Sequence, residues 1–342
     1  MNKTMQAAVV ERYGQPLTLR EVDIPAVGPG QILVKTEACG VCHTDLHCAS
    51  GDFPVKATLP FIPGHEGIGL VVAIGAGVTS VKEGDRVGVP WLYSACGHCE
   101  YCLTAWETVC AKAQFGGYTR NGGFAEYILA DPDYVAHVPS SLAATEAAPI
   151  ICAGITTYSP LKHWNIQPGQ KVGVVGLGGL GHMALKFAHA FGAHVTQFTT
   201  SPGKEADAKR LGADEVVLTR DPEALKPLAG TFHFILDTVS APHDLNLYLN
   251  LLKRDGAMVL VGLPENPAEV SAFPLAGKRR SLAGSNIGGI AETQEMLDFC
   301  AEHGIVSDIE MIPISKVNEA YERMLKNDVK YRFVIDMASL RE

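Results

Sequence analysis

Four cysteines lie close together in one short segment of the chain, CGHCEYCLTAWETVC. The first three follow at intervals of three residues and the fourth comes eight residues later; they are Cys96, Cys99, Cys102 and Cys110. Such a loop can fold four thiolates around one ion, in the closed tetrahedral arrangement of a structural zinc site. Two disulfides are the alternative. Because the chain shows no apolar segment typical of an export signal, a reducing compartment and a zinc site are favoured.

A second set of reactive side chains is spread over three separate segments. Cys42 lies in CGVCHTDLHC, His65 in GHEG, and Cys152 in PIICAGITTY. A catalytic zinc takes three protein ligands and keeps one position open, and two thiolates with one imidazole are a known set. Spacing alone does not show that the three meet, and a single cysteine such as Cys152 is more often a buried apolar residue. A redox role for the Cys39–Cys42 pair is a less favoured alternative.

A glycine-rich turn follows the apolar segment KVGVV directly and opens a helical segment. Its sequence GLGGLG supplies Gly176, Gly178, Gly179 and Gly181. A tight turn, a close backbone approach to a pyrophosphate and close helix–strand packing each require a missing side chain. The helix N-terminus then offers free N–H groups to the phosphates. In this context of strand, turn and helix, the motif predicts dinucleotide binding.

The end of the next strand distinguishes NADP from NAD. An acidic residue there would bind the adenosine ribose of NAD, but this strand ends FTTSPGK and its first carboxylate comes at Glu205. Ser201 and Pro202 are predicted as the N-cap and first residue of the next helix. Thr200, Ser201 and Lys204 could therefore receive a 2′-phosphate. An ordinary cap with a solvated lysine is the alternative, so the sequence favours NADP(H) and keeps NAD(H) as the second choice.

The elements that must position these residues change character along the chain. Up to about residue 150, short strand-like segments alternate with Gly and Pro, which is typical of an irregular β-rich domain. The next segment, AATEAAPIICAGITTYSPL, is predicted as helix. Apolar strands then alternate with helices, among them DLNLYLNLLKRD; the predicted strands are 171–176, 194–200, 215–218, 232–239 and 257–262. This alternation predicts an α/β fold with a doubly wound parallel sheet.

Composition limits the classes of partner. The chain has 342 residues, which suggests two domains, and its 47% hydrophobic and 19% charged residues are ordinary for a globular protein. No apolar run is long enough for a transmembrane helix. The net charge of −9 disfavours binding to nucleic acid. We therefore expect a cytoplasmic protein that acts on a small molecule, without a nucleic-acid or membrane partner.

In this order, GVCHTDLH, PGHEGIG, the four-cysteine segment, CAGITTY and GLGGLG resemble the zinc-dependent medium-chain alcohol dehydrogenase family over essentially the whole chain. The resemblance implies two zinc ions per chain. It also implies a GroES-like catalytic domain (residues 1–153 and 287–342, with the structural zinc lobe at about 91–112) and a Rossmann dinucleotide-binding domain (154–286). The active-site cleft would lie between these domains.

The resemblance assigns catalytic roles to single residues of this chain. Cys42, His65 and Cys152 would bind the catalytic zinc, and Glu66 would be an occasional extra ligand. Asp45 matches a carboxylate that orients the zinc-binding histidine. Two further matches describe the path of the proton: Thr44 would begin the relay and His47 would end it at the solvent, although a surface histidine on a turn is the alternative for His47.

The resemblance also assigns binding roles. His43 and Arg332 match positions at the cofactor pyrophosphate, with an edge-strand charge as the alternative for Arg332. Thr156 and Leu180 match positions that support the nicotinamide. Phe53 and Trp91 match positions that line the substrate pocket, and they would favour alcohols with an apolar or aromatic body unless they are only packing residues.

The two halves resemble different branches of the family. Up to about residue 145 the chain resembles bacterial tetrameric alcohol dehydrogenases, which are usually NAD-linked; from CAGITTYSPLKHW onward it resembles the NADPH-linked cinnamyl-alcohol-dehydrogenase branch. An intermediate sequence or a domain swap would explain this. We expect an enzyme that interconverts primary, allylic or aromatic alcohols and aldehydes with NADP(H), as a tetramer or dimer. The alternatives are an NAD-linked enzyme, a polyol or amino-alcohol dehydrogenase, and a non-enzymatic dinucleotide-binding protein.

Overall fold

The computed structural model describes residues 3–264 and 266–341. The chain divides into two compact units, the first formed by Met1–Cys152 with Gly288–Glu342 and the second by Ala153–Ile287. These limits lie next to the domain boundaries given above, which remain a prediction. Within the described part of the chain, every helix is too short or too polar to cross a membrane.

The described residues form seventeen β-strands and eleven α-helices. The strands are β1 (Thr4–Val9), β2 (Thr18–Asp23), β3 (Ile32–Val41), β4 (Gly67–Ile74), β5 (Arg86–Val89), β6 (Leu92–Ser94), β7 (Gln114–Phe115), β8 (Tyr127–Ala130), β9 (Ala136–His137), β10 (Lys171–Val175), β11 (His194–Thr199), β12 (Glu215–Leu218), β13 (Phe232–Asp237), β14 (Leu252–Leu260), β15 (Ser281–Gly284), β16 (Ile309–Pro313) and β17 (Arg332–Asp336). The helices are α1 (His43–Ser50), α2 (Glu100–Leu103), α3 (Ala144–Ala147), α4 (Ala153–His163), α5 (Gly179–Ala190), α6 (Glu205–Arg210), α7 (Pro222–Leu225), α8 (Leu245–Leu249), α9 (Ala272–Ala276), α10 (Ile290–His303) and α11 (Val317–Leu325).

The first unit is built around a seven-stranded sheet. Its strands run in the order β16-β17-β3-β4-β5-β9, and β8 also pairs with β3. The central strand β3 is rich in β-branched residues, and its Ile32 and Val34 are fully buried. Strands β3 and β4 are antiparallel, with Cys39 opposite Gly67. The chain therefore leaves β3 toward Cys42 at the same end of the sheet where β4 begins.

The second unit is a six-stranded parallel sheet in the order β12-β11-β10-β13-β14-β15. Val172 and Val174 of β10 are fully buried, because helices cover both faces of such a sheet. The strand order reverses between β10 and β13, whose C-terminal residues Val175 and Asp237 are paired. The predicted fold class, a β-rich domain plus a doubly wound parallel sheet, is confirmed.

Two helix predictions need correction. The segment 244–255 is helical only over Leu245–Leu249, and from Leu252 it is strand β14. The prediction was wrong there because Leu252 is fully buried and pairs with Phe232, so tertiary pairing overrides local helix propensity. The segment from Ala143 onward is also not one helix: a 3₁₀ turn over Ala148–Ile151 separates α3 from α4 and leaves Cys152 between helices.

Candidate active site and metal centres

Three segments that are distant in sequence meet in the first unit, beside the end of β3. Ligand atoms of Cys42, His65, Glu66 and Cys152 all lie within 4.8 Å of one another. Nε2 of His65 lies 3.3 Å from Sγ of Cys152 and 3.9 Å from Oε1 of Glu66. Two thiols and one imidazole within a single coordination sphere fit a tetrahedral zinc ion that keeps one position open.

Asp45 positions this set of ligands through hydrogen bonds. Its Oδ1 accepts hydrogen bonds from Nδ1 of His65 at 2.8 Å and from the amide of Gly64 at 3.1 Å. Its Oδ2 accepts the amide of Cys42 at 2.9 Å. Asp45 and His65 side chains are each only 1% exposed. Because Nδ1 donates to the carboxylate, Nε2 is left as the lone-pair atom that a metal requires.

Glu66 is fully buried and forms an ion pair with Arg332. Burial raises the pKa of Glu66 to about 7, and the Arg332 guanidinium opposes that rise. Oε2 of Glu66 has no hydrogen-bond partner among the described residues. Gly40 makes room for this oxygen, since a Cβ at Gly40 would overlap it. A buried carboxylate oxygen without a partner, next to two thiols and an imidazole, is suited to a cation.

The ionisation of the two thiols is coupled. A hydrogen bond with Cys152 lowers the pKa of Cys42 well below its usual value, and the same bond, together with burial, raises the pKa of Cys152. Burial lowers the pKa of His65, but the Asp45 carboxylate raises it, and the net shift is upward. Of the two thiols, Cys42 is therefore the one that ionises first.

Aromatic side chains line this centre on one side. The ring of Trp91 meets His65 edge-on at 5.2 Å between centroids, and it stacks with Phe115 at 5.0 Å and with Tyr118 at 5.9 Å. Phe53 meets Tyr118 edge-on at 5.5 Å. The two predicted pocket residues thus belong to one aromatic wall beside a metal-ligand residue. Sequence reasoning missed Phe115 and Tyr118, whose only signal was the FGGY segment that follows the four cysteines.

Helix α1 carries the predicted relay residues. Nδ1 of His47 lies 2.9 Å from Oδ2 of Asp52, a residue that sequence reasoning also missed. Gly51 ends the helix with φ 75°, in the left-handed region, and turns the chain so that the amide of Asp52 donates to the carbonyl of His47 at 3.1 Å. Thr44 is partly buried, and desolvation of the His43 imidazole lowers its pKa.

The four-cysteine segment folds into a second candidate metal centre. The sulfur atoms of Cys96, Cys99, Cys102 and Cys110 lie within 4.8 Å of one another. Sγ of Cys102 is 3.8 Å from Sγ of Cys96 and 3.5 Å from Sγ of Cys99. A disulfide would need about 2.05 Å, whereas a zinc tetrathiolate has sulfur–sulfur edges of about 3.8 Å. The backbone amide of Cys99 also donates to Cys96 Sγ at 3.3 Å. The disulfide alternative therefore does not describe this segment, in which all four thiols are free.

The glycine-rich turn of the second unit has the geometry of a phosphate-binding turn. Gly176 has φ +87°, and a Cβ there would lie 2.7 Å from Val239. A Cβ at Gly181 would overlap the carbonyl of Gly176. Gly178 differs, because nothing lies within 4 Å of the place its Cβ would take. Helix α5 begins at Gly179, directly after this open position, and the free N–H groups of such a helix N-terminus suit a pyrophosphate.

The end of β11 carries no carboxylate. Thr200 is exposed, and Ser201 is the N-cap of the 3₁₀ turn Pro202–Lys204 without a side-chain capping bond. Nζ of Lys204 donates to the carbonyl of Leu177 at 2.7 Å, so the ammonium lies across the glycine-rich turn. Of the predicted 2′-phosphate residues, Lys204 thus contacts the glycine-rich turn directly.

The other predicted cofactor residues are placed as follows. Thr156 is buried in α4 and Leu180 lies in the first turn of α5, both in the second unit. Arg332 is not on an edge strand, since β17 lies between β16 and β3. Its Nη2 donates hydrogen bonds to Oε1 of Glu66 and to the carbonyl of Val41. The proposed contacts of these three residues with the cofactor remain predictions.

Comparison with known proteins identifies the family. The Alcohol dehydrogenase GroES-like domain matches residues 28–140, and the Zinc-binding dehydrogenase family matches residues 179–302. NADP-dependent alcohol dehydrogenase C 1 of Mycolicibacterium smegmatis is 49% identical over 99% of both chains. Aldehyde reductase YahK of Escherichia coli is 50% identical over 96% of this chain and 97% of its own.

The similarity to solved structures agrees with these sequence matches. A cinnamyl alcohol dehydrogenase of Sorghum bicolor has a TM-score of 0.94 and 42% identity, with 98% of each chain covered. These relatives span the change of character near residues 145–155, so single full-length proteins resemble both halves, and a domain swap remains a hypothesis. At this identity and coverage, the chain belongs to the zinc-dependent medium-chain alcohol dehydrogenase family.

Proposed function

We propose that the protein interconverts primary, allylic or aromatic alcohols and their aldehydes, with NADP(H) as the hydride carrier. The observation that carries the proposal is the convergence of Cys42, His65 and Cys152 beside the ring of Trp91. The named activities of the relatives, an NADP-dependent alcohol dehydrogenase and an aldehyde reductase, support it.

The donor atoms fit two zinc ions per chain. Cys42, His65 and Cys152 would hold the catalytic ion, with Glu66 as an additional ligand. Zinc supplies a Lewis acid to the alcohol or aldehyde oxygen, and NADP(H) supplies or accepts the hydride. The structural ion would be held by Cys96, Cys99, Cys102 and Cys110.

The chain itself must move a proton away from a buried site. Asp45 keeps His65 in the tautomer whose Nε2 is free. On α1, Thr44 would accept the substrate proton at Oγ1 while it gives up its own hydroxyl proton, and His47 at the other end of the relay would accept a proton at Nε2 and release one to water. Asp52 binds Nδ1 of His47, which leaves Nε2 as the proton-accepting atom. Asp52 is thus a positioning residue for the relay.

The second unit would select the cofactor. Thr200, Ser201 and Lys204 offer hydroxyls, amides and one ammonium to a 2′-phosphate, and no carboxylate at the strand end repels it. Gly176, Gly178, Gly179 and Gly181 would hold the pyrophosphate, and His43 and Arg332, Thr156 and Leu180 would add the contacts predicted above. An NAD-linked enzyme remains the second candidate.

The aromatic wall would set the substrate class. Phe53, Trp91, Phe115 and Tyr118 present rings to the side of the metal centre. Rings bind apolar and aromatic substrate bodies by contact area, but they offer few partners for several hydroxyl groups. A polyol or amino-alcohol substrate is therefore less suited to this wall.

The cellular compartment and the oligomeric state are also proposed. All nine cysteines are free thiols, which suits the reducing cytoplasm. A homo-oligomer, tetramer or dimer, is proposed from the resemblance to the two family branches.

The test is the ratio of kcat/KM for NADPH over NADH with benzaldehyde as acceptor, measured on zinc-loaded enzyme. We expect a ratio of roughly ten or more, that is about 1.4 kcal/mol or more, because Lys204 would form a charge-assisted contact with the 2′-phosphate that NADH lacks. A ratio below one would overturn the 2′-phosphate assignment and favour the NAD-linked candidate. Metal analysis of the same sample should give two zinc ions per chain.

A further inference from the structure

A histidine in the second unit has both ring nitrogens engaged. Nε2 of His243 lies 2.8 Å from Oδ2 of Asp237, and Nδ1 lies 2.8 Å from the carbonyl oxygen of Ala241. Asp237 is 2% exposed, at the C-terminal end of β13. A carbonyl and a carboxylate only accept hydrogen bonds, so both nitrogens donate at once when the ring is a doubly protonated imidazolium.

These two bonds fix both ends of the short loop 238–242. Asp237 also accepts the amide of Val239 through Oδ1 at 3.0 Å. The hydroxyl of Thr238 donates to the carbonyl of Val175 at 2.7 Å, at the end of the neighbouring strand β10. The loop is therefore anchored to the sheet at one end and to the His243 ring at the other.

The loop lies against the glycine-rich turn. A Cβ at Gly176 would lie 2.7 Å from Val239 and 3.0 Å from the hydroxyl of Thr238. A Cβ at Gly181 would lie 3.3 Å from that hydroxyl. The loop follows β13 at the point where the strand order reverses, and ligands of such sheets bind outside the C-terminal strand ends at this point. Thr238 and Val239 are therefore close enough to the glycine-rich turn to support its shape.

We propose that His243 is a positioning residue for the cofactor: as a cation bound to Asp237 and Ala241, it locks loop 238–242 against the glycine-rich turn and so sets the affinity for NADP(H). The proposal rests on the proposed cofactor site. When the ring loses a proton, one of its two hydrogen bonds loses its donor, and loop 238–242 is held less firmly. The affinity for the cofactor is therefore higher with the protonated ring.

The surroundings of the ring favour the cation. The hydrogen bond to Asp237 raises the pKa of His243 above its ordinary value, and Asp244 acts in the same direction, whereas burial opposes them. The ring of Tyr248 lies 6.0 Å away, and burial raises the pKa of that phenol to about 12, so it stays neutral. Because the pKa of His243 is raised, the ring keeps its proton to a higher pH than an ordinary histidine does.

The test is the Kd of NADPH from pH 6.5 to 9, measured by calorimetry on zinc-loaded wild type, on His243→Gln and on His194→Gln. His194 is a matched control, because it also contacts carboxylates, Asp214 and Glu215, but lies at the N-terminal end of β11, whereas loop 238–242 follows the C-terminal end of β13 in the same parallel sheet. For wild type and His194→Gln we expect the Kd to rise about fivefold or more across this range. For His243→Gln we expect a weak, nearly pH-independent Kd close to the alkaline value of wild type.

Each other outcome has a defined meaning. Superimposable pH profiles for wild type and His243→Gln would overturn the proposal. A Kd raised by one factor at every pH, together with a lowered Tm, would also overturn it, since that result describes a merely structural histidine. Wild-type protein that binds no NADPH, or that prefers NADH, would instead contradict the proposed function.

Discussion

The replacement Asp45→Asn tests whether the catalytic metal set depends on one buried carboxylate. Asp45 accepts three hydrogen bonds, from Nδ1 of His65 and from the amides of Gly64 and Cys42. An asparagine has one acceptor oxygen and one NH₂ group. If its oxygen serves His65 and Gly64, the NH₂ group must face the amide of Cys42, and two donors then oppose each other in a buried site.

The size of the effect of Asp45→Asn follows from the number of hydrogen bonds that are lost. One buried donor without an acceptor costs about 1–3 kcal/mol, and loss of a carboxylate behind a metal-binding histidine lowers metal affinity roughly 10–100-fold. We expect Asp45→Asn to fold, to retain the structural ion, and to lose the catalytic ion first. Zinc content after dialysis against a weak chelator should fall from two ions per chain toward one, with a matching loss of benzaldehyde reduction.

The control is Asp85→Asn, which removes the same charge from a carboxylate that accepts the amide of Lys82 at 2.9 Å in an exposed turn. It should keep both zinc ions. The reasoning would be refuted if Asp45→Asn kept two ions at the chelator concentration at which wild type does, or if both variants lost zinc equally.

Three further predictions concern the cofactor turn and the relay. Thr200→Asp should lower the NADPH/NADH ratio of kcat/KM roughly tenfold or more, because a carboxylate would face the 2′-phosphate; an unchanged ratio would contradict the assignment. Gly181→Ala should destabilise the protein by about 1–3 kcal/mol, because its Cβ would overlap the carbonyl of Gly176, and urea denaturation at an unchanged midpoint would refute this. Asp52→Asn should lower kcat for alcohol oxidation about tenfold with little change in KM, and imidazole buffer should restore kcat. The control Glu319→Gln, which removes one surface charge on α11, should leave kcat unchanged. An effect of Asp52→Asn on KM alone would exclude a relay role.

Local chemistry could be read from the sequence wherever it depends on neighbours in the chain. The spacing of Cys96, Cys99 and Cys102 predicts a metal loop because a few residues suffice to bring the sulfur atoms together. Gly181 is required by its contact with the carbonyl of Gly176 within one strand–turn–helix unit, and Gly176 by its left-handed φ of +87° in the turn. The fold class was predictable for the same reason, since alternation of apolar strands and helices is a repeated local signal.

Other features were decided by contacts between distant segments. The helix predicted over 244–255 was wrong because Leu252 pairs with Phe232, a partner that no local pattern reveals. The burial of Arg332 against Glu66 depends on β17 lying beside β3, far from it in sequence. The same is true of the aromatic wall, in which Phe115 and Tyr118 gain a role only by stacking on Trp91.

The catalytic centre depends both on residues that the sequence reveals and on contacts that only the folded chain forms. The sequence by itself determined which residues have metal-binding chemistry, and the resemblance of their motifs to a known family grouped Cys42, His65 and Cys152. Only the tertiary structure brought their ligand atoms within 4.8 Å of one another, with Glu66 among them. The physical reason is that this distance depends on the register of β3 against β4 and on the break of the chain at Cys152 between α3 and α4. Register and packing depend on the whole core rather than on any one segment.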